Sequence, residues 1–247
     1  MRPRPGKSAK PVSGKQPWDR FAEADPYTYI LTSLKNRDLK EFWQSGQAVV
    51  SREILPLLQS RQISTGIGME LGCGVGRLML PLAPSFGQMW GVDVAEAMVR
   101  RAQTFAADRG IRNVHFTAVA EPEALLDQMG SCARRIDFIY SLLVFQHIPD
   151  LSVIERYLRI IGVLLADSGI AYLQFDTRPK NWAYHLKSNL PDFLLPRFWR
   201  KGIRRIRRAP TDLEECFHGV GLEILDELTP GTEYHRYVLR RAPGIAP

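Results

Sequence analysis

Met69-Glu70-Leu71-Gly72-Cys73-Gly74-Val75-Gly76-Arg77 decides the reading of this 247-residue chain. Ile67, Met69 and Leu71 alternate as a short strand. Three glycines at every second position then form a turn, and glycine lets a backbone bend tightly and approach a ligand closely. Val75, Leu78, Met79, Leu82, Ala83 and Phe86 recur at helical spacing, which predicts a helix directly after the turn.

The same alternation continues downstream. Met89 to Val92 reads as a second strand and Ala95 to about Ala107 as a helix. Val114 to Thr117 and Ile136 to Tyr140 read as strands three and four. Leu151, Ile154, Leu158, Ile161 and Leu165 step by three and four as a helix, and Ile170 to Phe175 is strand five. A helix over 211–219 precedes two strands near 222–228 and 233–240, with Thr229-Pro230-Gly231 as the turn between them. Short apolar strands separated by helices predict a mostly parallel sheet covered on both faces, closed at one edge by an antiparallel hairpin.

Upstream, Asp25-Pro26 is a cap and first helical residue. Asp38 caps a helix whose apolar positions are Leu39, Phe42, Trp43, Val49, Val50, Ile54, Leu57 and Leu58. Residues 1–17 mix Pro, Gly, Ser and Lys and read as a flexible tail. They lack the apolar core of a secretory signal.

Composition bounds the class. Apolar residues make up 45% and charged residues 24%, which is globular and excludes collagen-like or disordered chains. No apolar run approaches the ~20 residues of a membrane span. Cys73, Cys132 and Cys216 form no CxxC pair, which points to a reducing compartment and a cytoplasmic protein. His115, His147, His185, His218 and His235 lack metal-ligand spacing, so no metal centre is expected. The net charge is +7, but residues 1–17 hold five Lys/Arg and residues 193–210 hold seven, with no acid in either. The remainder is therefore acidic, and that partition weakens the link between a high pI and nucleic acid.

Two cofactors compete for the glycine turn. A dinucleotide fingerprint is GxGxxG; Gly72, Gly74 and Gly76 are spaced GxGxG instead. Glu70 stands two positions before the first glycine, where a carboxylate repels a pyrophosphate and attracts an ammonium. That points to S-adenosylmethionine rather than NAD. Asp93, in Gly91-Val92-Asp93-Val94, lies 21 residues after Gly72. A carboxylate there accepts ribose hydroxyls and fits either cofactor.

The runs ELGCGVGR, GVDVAEAMVRRA and RIDFIYSLLVFQHIPD, in this order, resemble the class I S-adenosylmethionine-dependent methyltransferases, and among them the small-molecule methyltransferases. The resemblance covers roughly residues 40–176. It implies a Rossmann-like seven-stranded sheet, with Gly72, Cys73 and Gly74 along the methionine moiety and Glu70 acting on its ammonium. Asp93 then binds the ribose, and Val94 and Met98 lie against the adenine. The family's acidic or amide residue after strand three falls at Ala120 in the simplest register, with Glu121 beside it. Ser141 and Leu142 lie beneath the sulfonium, and Phe145, Gln146 and His147 near the methyl-transfer face. Residues 18–64, with Tyr27, Tyr29 and Trp43, form a helical lid over a core of residues 65–247.

The resemblance implies methyl transfer to oxygen or nitrogen of a small molecule. His147 is the candidate general base for a hydroxyl acceptor, or else a structural histidine bonding the loop before Pro149. Asp176 ends strand five and either orients an acceptor or caps the following turn. Tyr184 and His185 fall in an insert over about 177–210, where substrate contacts are expected. Within it, 193–208 reads as a basic amphipathic helix with Trp199, Ile203 and Ile206 on one face. Such a helix packs on the sheet, grips an acidic acceptor or meets an anionic surface. Base methylation on an exocyclic amine commonly needs a polar residue followed by Pro-Pro and an aromatic after strand four, whereas Tyr140-Ser141-Leu142-Leu143-Val144 carries no proline. An RNA methyltransferase of another kind and a non-catalytic S-adenosylmethionine-binding module remain the alternatives.

Overall fold

Seven strands form one sheet in the order β3-β2-β1-β4-β5-β7-β6. The computed structural model describes Trp18, Tyr27, Ile30, residues 38–195 and residues 205–244. The strands are β1 (Ile67–Leu71), β2 (Gln88–Asp93), β3 (Val114–Ala118), β4 (Ile136–Ser141), β5 (Leu165–Phe175), β6 (Leu222–Leu228) and β7 (His235–Arg241). β1 to β5 pair in parallel, and β7 runs antiparallel to both β5 and β6. The helices are α1 (Leu39–Val49), α2 (Leu55–Ser60), α3 (Met79–Leu82), α4 (Glu96–Asp108), α5 (Glu123–Met129), α6 (Leu151–Leu164), α7 (Trp182–Asn189) and α8 (Pro210–Gly219).

Alternation along the strands feeds two cores. Met69, Leu71, Ile139, Ala171, Leu173, Tyr237 and Leu239 face one side and pack with Ile154, Leu158 and Ile161 of α6 and Leu213 and Phe217 of α8. Phe138, Tyr140, Ile170, Tyr172 and Val238 face the other, against Val50, Ile54, Leu58 and Met79. Each fully buried Leu or Phe contributes about 1.5–3 kcal/mol of transfer free energy, so both faces need their helices.

The predicted mostly parallel sheet, its two covered faces and its closing hairpin are all present. Three local expectations change. First, the helix after the glycine turn is shorter than Val75 to Phe86. Gly76 takes φ +85°, a left-handed value that interrupts a right-handed helix, so regular helix is confined to α3 and ends before Pro84. Second, β5 starts at Leu165, directly after α6, because Leu165 pairs with Ile136 across a register shift. Third, Ile206 does not sit on a helix. Its N–H donates to the Gln146 carbonyl (2.7 Å), Arg207 bridges Asp176, and the Arg208 N–H donates to the Asp176 carbonyl (2.9 Å), all in extended chain. Trp199 and Ile203 lie outside the described residues, as do the 1–17 tail, Asp25-Pro26 and Tyr29.

The Asp38 cap forms as read: its carboxylate accepts from the N–H groups of Lys40 (2.8 Å) and Glu41 (3.2 Å). Between α1 and α2 the helix widens into a π turn over Val50–Ile54, and the Leu55 N–H reaches back to the Val50 carbonyl. Pro56 follows, with no N–H to give to the helix ladder. Among the described residues no helix is long and apolar enough to cross a membrane.

Candidate active site

The strand order reverses between β1 and β4, since β2 lies on one side of β1 and β4 on the other. Open α/β sheets bind ligands at the carboxyl ends of the strands flanking such a switch point. Three predicted segments meet there: the glycine turn after β1, Asp93 at the end of β2 and the Ser141–His147 loop after β4.

The turn is held from both sides. The Gly72 and Cys73 N–H groups both donate to the Val92 carbonyl (2.7 and 3.0 Å). Gly72 has φ +75°, and a Cβ there would stand 2.3 Å from Val144 Cγ2. The loops after β1 and β4 thus approach as closely as only glycine permits. Ser141 Oγ locks the same pair by donating to the Leu71 carbonyl (2.8 Å). Asp93 joins the glycine turn to α4: its carboxylate accepts from the Gly74 N–H (2.8 Å) and the Ala95 N–H (2.9 Å). These two bonds fix the carboxylate between the glycine turn and the start of α4.

Glu70 is almost fully buried. Burial raises its carboxyl from an ordinary 4.5 to about 8, against the opposing pull of the Tyr140 hydrogen bond and the Arg77 charge. Tyr140 Oη donates to Glu70 Oε2 (3.0 Å), because the β1–β4 register sets Glu70 opposite Tyr140. The Arg77 guanidinium is also buried and donates to Ser45 Oγ (3.2 Å), so α1 is tied to the end of the turn. Burial raises the Cys73 thiol well above its usual range, and nearby Asp93 and Glu70 add to the effect. A thiol held protonated is a poor nucleophile.

Met98 is buried beside Phe42, Val75 and Ala95, with Trp18, Tyr27, Ile30, Trp43 and Phe105 packed around them. Val94 is half-buried next to Asp93, and Leu142 is buried in the core under Tyr140. Ala120 is exposed just past β3. Glu121 is turned to an ion pair with Arg156 (3.3 Å) that Glu123 shares (2.8 Å). Burial first, and then the negative charges of Asp93 and Glu121, push the Tyr157 hydroxyl up to about 12. His147 is half-buried, with Gln146 Nε2 at 3.3 Å from its Nε2 and the Trp18 ring edge-on at 5.6 Å.

The choice left open for Asp176 falls to the structural role. Its carboxylate is fully buried and takes Arg178 Nε (3.0 Å), Arg178 Nη2 (2.6 Å) and the Arg178 N–H (3.2 Å). Tyr184 Oη accepts the Arg207 N–H (3.1 Å), while His185 is exposed. Sequence reasoning missed Tyr140, Arg77, Ile30 and Trp18 as neighbours of the site. The register pairing exposes Tyr140, and only the tertiary contacts expose the others.

The sequence model of the methyltransferase-domain family matches residues 42–227, about three quarters of the chain, so this protein belongs to that family. Its fold is that of a solved S-adenosylmethionine-dependent methyltransferase of Clostridium acetobutylicum, with TM-score 0.62 and 16% identity over 91% of this chain and 99% of that one. The chain is 30% identical over 102 residues to a ubiquinone biosynthesis O-methyltransferase of Azorhizobium caulinodans, covering 41% of this chain and 37% of that protein. It is 46% identical over 48 residues to a 23S rRNA (uracil(1939)-C(5))-methyltransferase of Shewanella sediminis, covering 19% of this chain and 11% of that one. Among solved structures it superposes on magnesium protoporphyrin IX methyltransferase of Synechocystis PCC 6803 with bound S-adenosylhomocysteine. That match has TM-score 0.62 and 18% identity over 92% of this chain and 97% of the other. The chain spans well under half the length of the first curated relatives it matches.

Proposed function

We propose that this protein transfers the methyl group of S-adenosylmethionine to an oxygen or nitrogen of a small molecule. The observation that carries the reading is the pair of acidic side chains on adjacent strand ends, Glu70 on β1 and Asp93 on β2, with the glycine turn between them. Their chemistry fits the two polar ends of that cofactor. Glu70 meets the ammonium, the Gly72–Gly74 backbone runs along the methionine, Asp93 takes the ribose hydroxyls, and Val94 and Met98 flank the adenine. Ala120 and Glu121 stand near the adenine edge, and Ser141 and Leu142 lie under the sulfonium. The bound cofactor supplies an electrophilic methyl group, so the chain's task is in-line positioning of the acceptor, which can supply much of the barrier reduction. For a hydroxyl acceptor, His147 takes the acceptor proton.

The O-methyltransferase relative favours a small-molecule acceptor, and residues 18–64 act as a lid over the cofactor, with Ile30 and Trp18 reaching Gly74 and His147. The three cysteines are buried and free, which suits a cytoplasmic enzyme. The second reading is RNA methylation, favoured by the short RNA methyltransferase match and the basic segments.

Calorimetric titration with S-adenosylhomocysteine, with NAD and NADP as controls, tests the cofactor. Micromolar binding of the first alone is expected, weakened at least tenfold in Asp93→Ala. Binding of a nicotinamide cofactor alone overturns the reading. Methyl transfer from labelled cofactor to bulk RNA, but to no metabolite fraction, would favour the second one.

A further inference from the structure

Four large apolar side chains stand in solvent within thirteen residues of chain: Trp182 (79% exposed), Leu186 (58%), Phe193 (78%) and Leu194 (60%). Scattered exposed apolar residues are ordinary, but a cluster rimmed by charge marks an interaction site. Trp182 and Leu186 are four apart on α7 and share one face. The opposite face is anchored: Tyr184 accepts the Arg207 N–H, and the Arg207 guanidinium lies 4.9 Å over the Tyr184 ring. Asn181 caps the helix by accepting the Tyr184 N–H (2.9 Å). The exposed face is therefore presented by a pinned helix.

The stretch that carries it is mostly basic. From Thr177 to Arg208 the sequence holds ten Lys/Arg and a single acid, Asp192. Lys180 is exposed beside α7. Arg178 and Arg205 share Glu233 at 2.8 Å each, so those two guanidinium groups are already partnered.

We propose that the Trp182–Leu194 surface docks on an anionic lipid bilayer, with Trp182, Leu186, Phe193 and Leu194 entering the interface and the cations meeting lipid phosphates. Apolar insertion combined with basic charge is the chemistry of interfacial binding, and anionic headgroups attract neighbouring Lys and Arg. RNA satisfies the cations and can stack bases on Trp182 and Phe193, but it leaves Leu186 and Leu194 in water, whereas a bilayer takes all four. Docking does not depend on which acceptor the enzyme methylates.

The test is co-sedimentation of the full chain with vesicles of phosphatidylglycerol and phosphatidylcholine, beside vesicles of phosphatidylcholine alone. At least tenfold stronger partition on the anionic vesicles is expected, with a further loss of at least tenfold in Trp182→Ser/Phe193→Ser. Both residues are exposed, and circular dichroism checks that the variant folds. A second readout is brominated-lipid quenching of emission that is present in the wild type and reduced in Trp182→Phe. No preference for anionic vesicles overturns the proposal, as does partition that the double substitution leaves unchanged. RNA binding that the double substitution spares, without vesicle binding, assigns the basic charge to nucleic acid instead. A dimer that the substitution dissolves, without vesicle binding, assigns the surface to a second copy of the chain.

Discussion

Glu70 shows how a single burial shapes the site. Its carboxyl is raised to about 8 by loss of solvent, with Tyr140 and Arg77 opposing. A carboxyl with a raised folded-state pKa binds its proton more tightly in the native state than in the unfolded chain. Its contribution to stability is therefore fully present below pH 4.5 and is lost as pH rises toward 8. Urea midpoints of the ligand-free protein should fall across that window, with a slope of at most about 1.4 kcal/mol per pH unit from this group. Glu70→Gln should flatten the dependence and weaken S-adenosylhomocysteine binding at pH 8. An unchanged slope in the variant would remove Glu70 as its source. Asp93 differs in that its carboxylate already accepts two backbone N–H groups, so its loss should disturb the glycine turn as well as the proposed ribose contact.

At the level of elements, α1 is a support for the glycine turn. A Cβ at Gly46 would stand 2.2 Å from the Arg77 carbonyl oxygen, so α1 lies directly on the turn. Gly46→Ala should force the two apart at a cost of about 1–3 kcal/mol, as overpacking does. It should also weaken cofactor binding without touching a residue that contacts the ligand. Denaturation midpoints and titration of the same variant check both. Elements also mark the limit of pattern reading. The helical spacing from Val75 to Phe86 was legible but did not make a helix of that length, because the left-handed Gly76 is a property of the turn and not of hydrophobic spacing. The basic stretch failed similarly: Ile206 fell in phase with Trp199 and Ile203, yet hydrogen bonds to Gln146 and Asp176 draw its chain into extended form.

At the scale of the molecule, two residues from the N-terminal stretch reach the loops at the carboxyl ends of β1 and β4. Ile30 Cδ1 reaches within 2.9 Å of where a Gly74 Cβ would be, and the Trp18 ring meets His147. Ligand binding should stabilise this whole edge. At one hundred times its Kd, S-adenosylhomocysteine should add about 2.7 kcal/mol to the unfolding free energy. Amide exchange should slow at Gly72 to Gly76 and in α1. Protection confined to α6 and α8, which pack on the opposite core, would place the ligand elsewhere.

The sequence by itself determined the sheet and the glycine turn at its carboxyl edge. Period-two strands alternating with period-3.6 helices allow few architectures, and glycines framed by Glu70 and Asp93 are local features written in consecutive residues. Tertiary structure alone decided what depends on distant segments meeting. The β1–β4 register set Tyr140 on Glu70, and Arg178 turned Asp176 into a buried structural carboxylate. Packing brought Ile30 and Trp18 to the site and left Trp182 and Phe193 in solvent. Spacing along a chain reports which face a residue occupies, whereas burial and partnership depend on what the fold brings against that face.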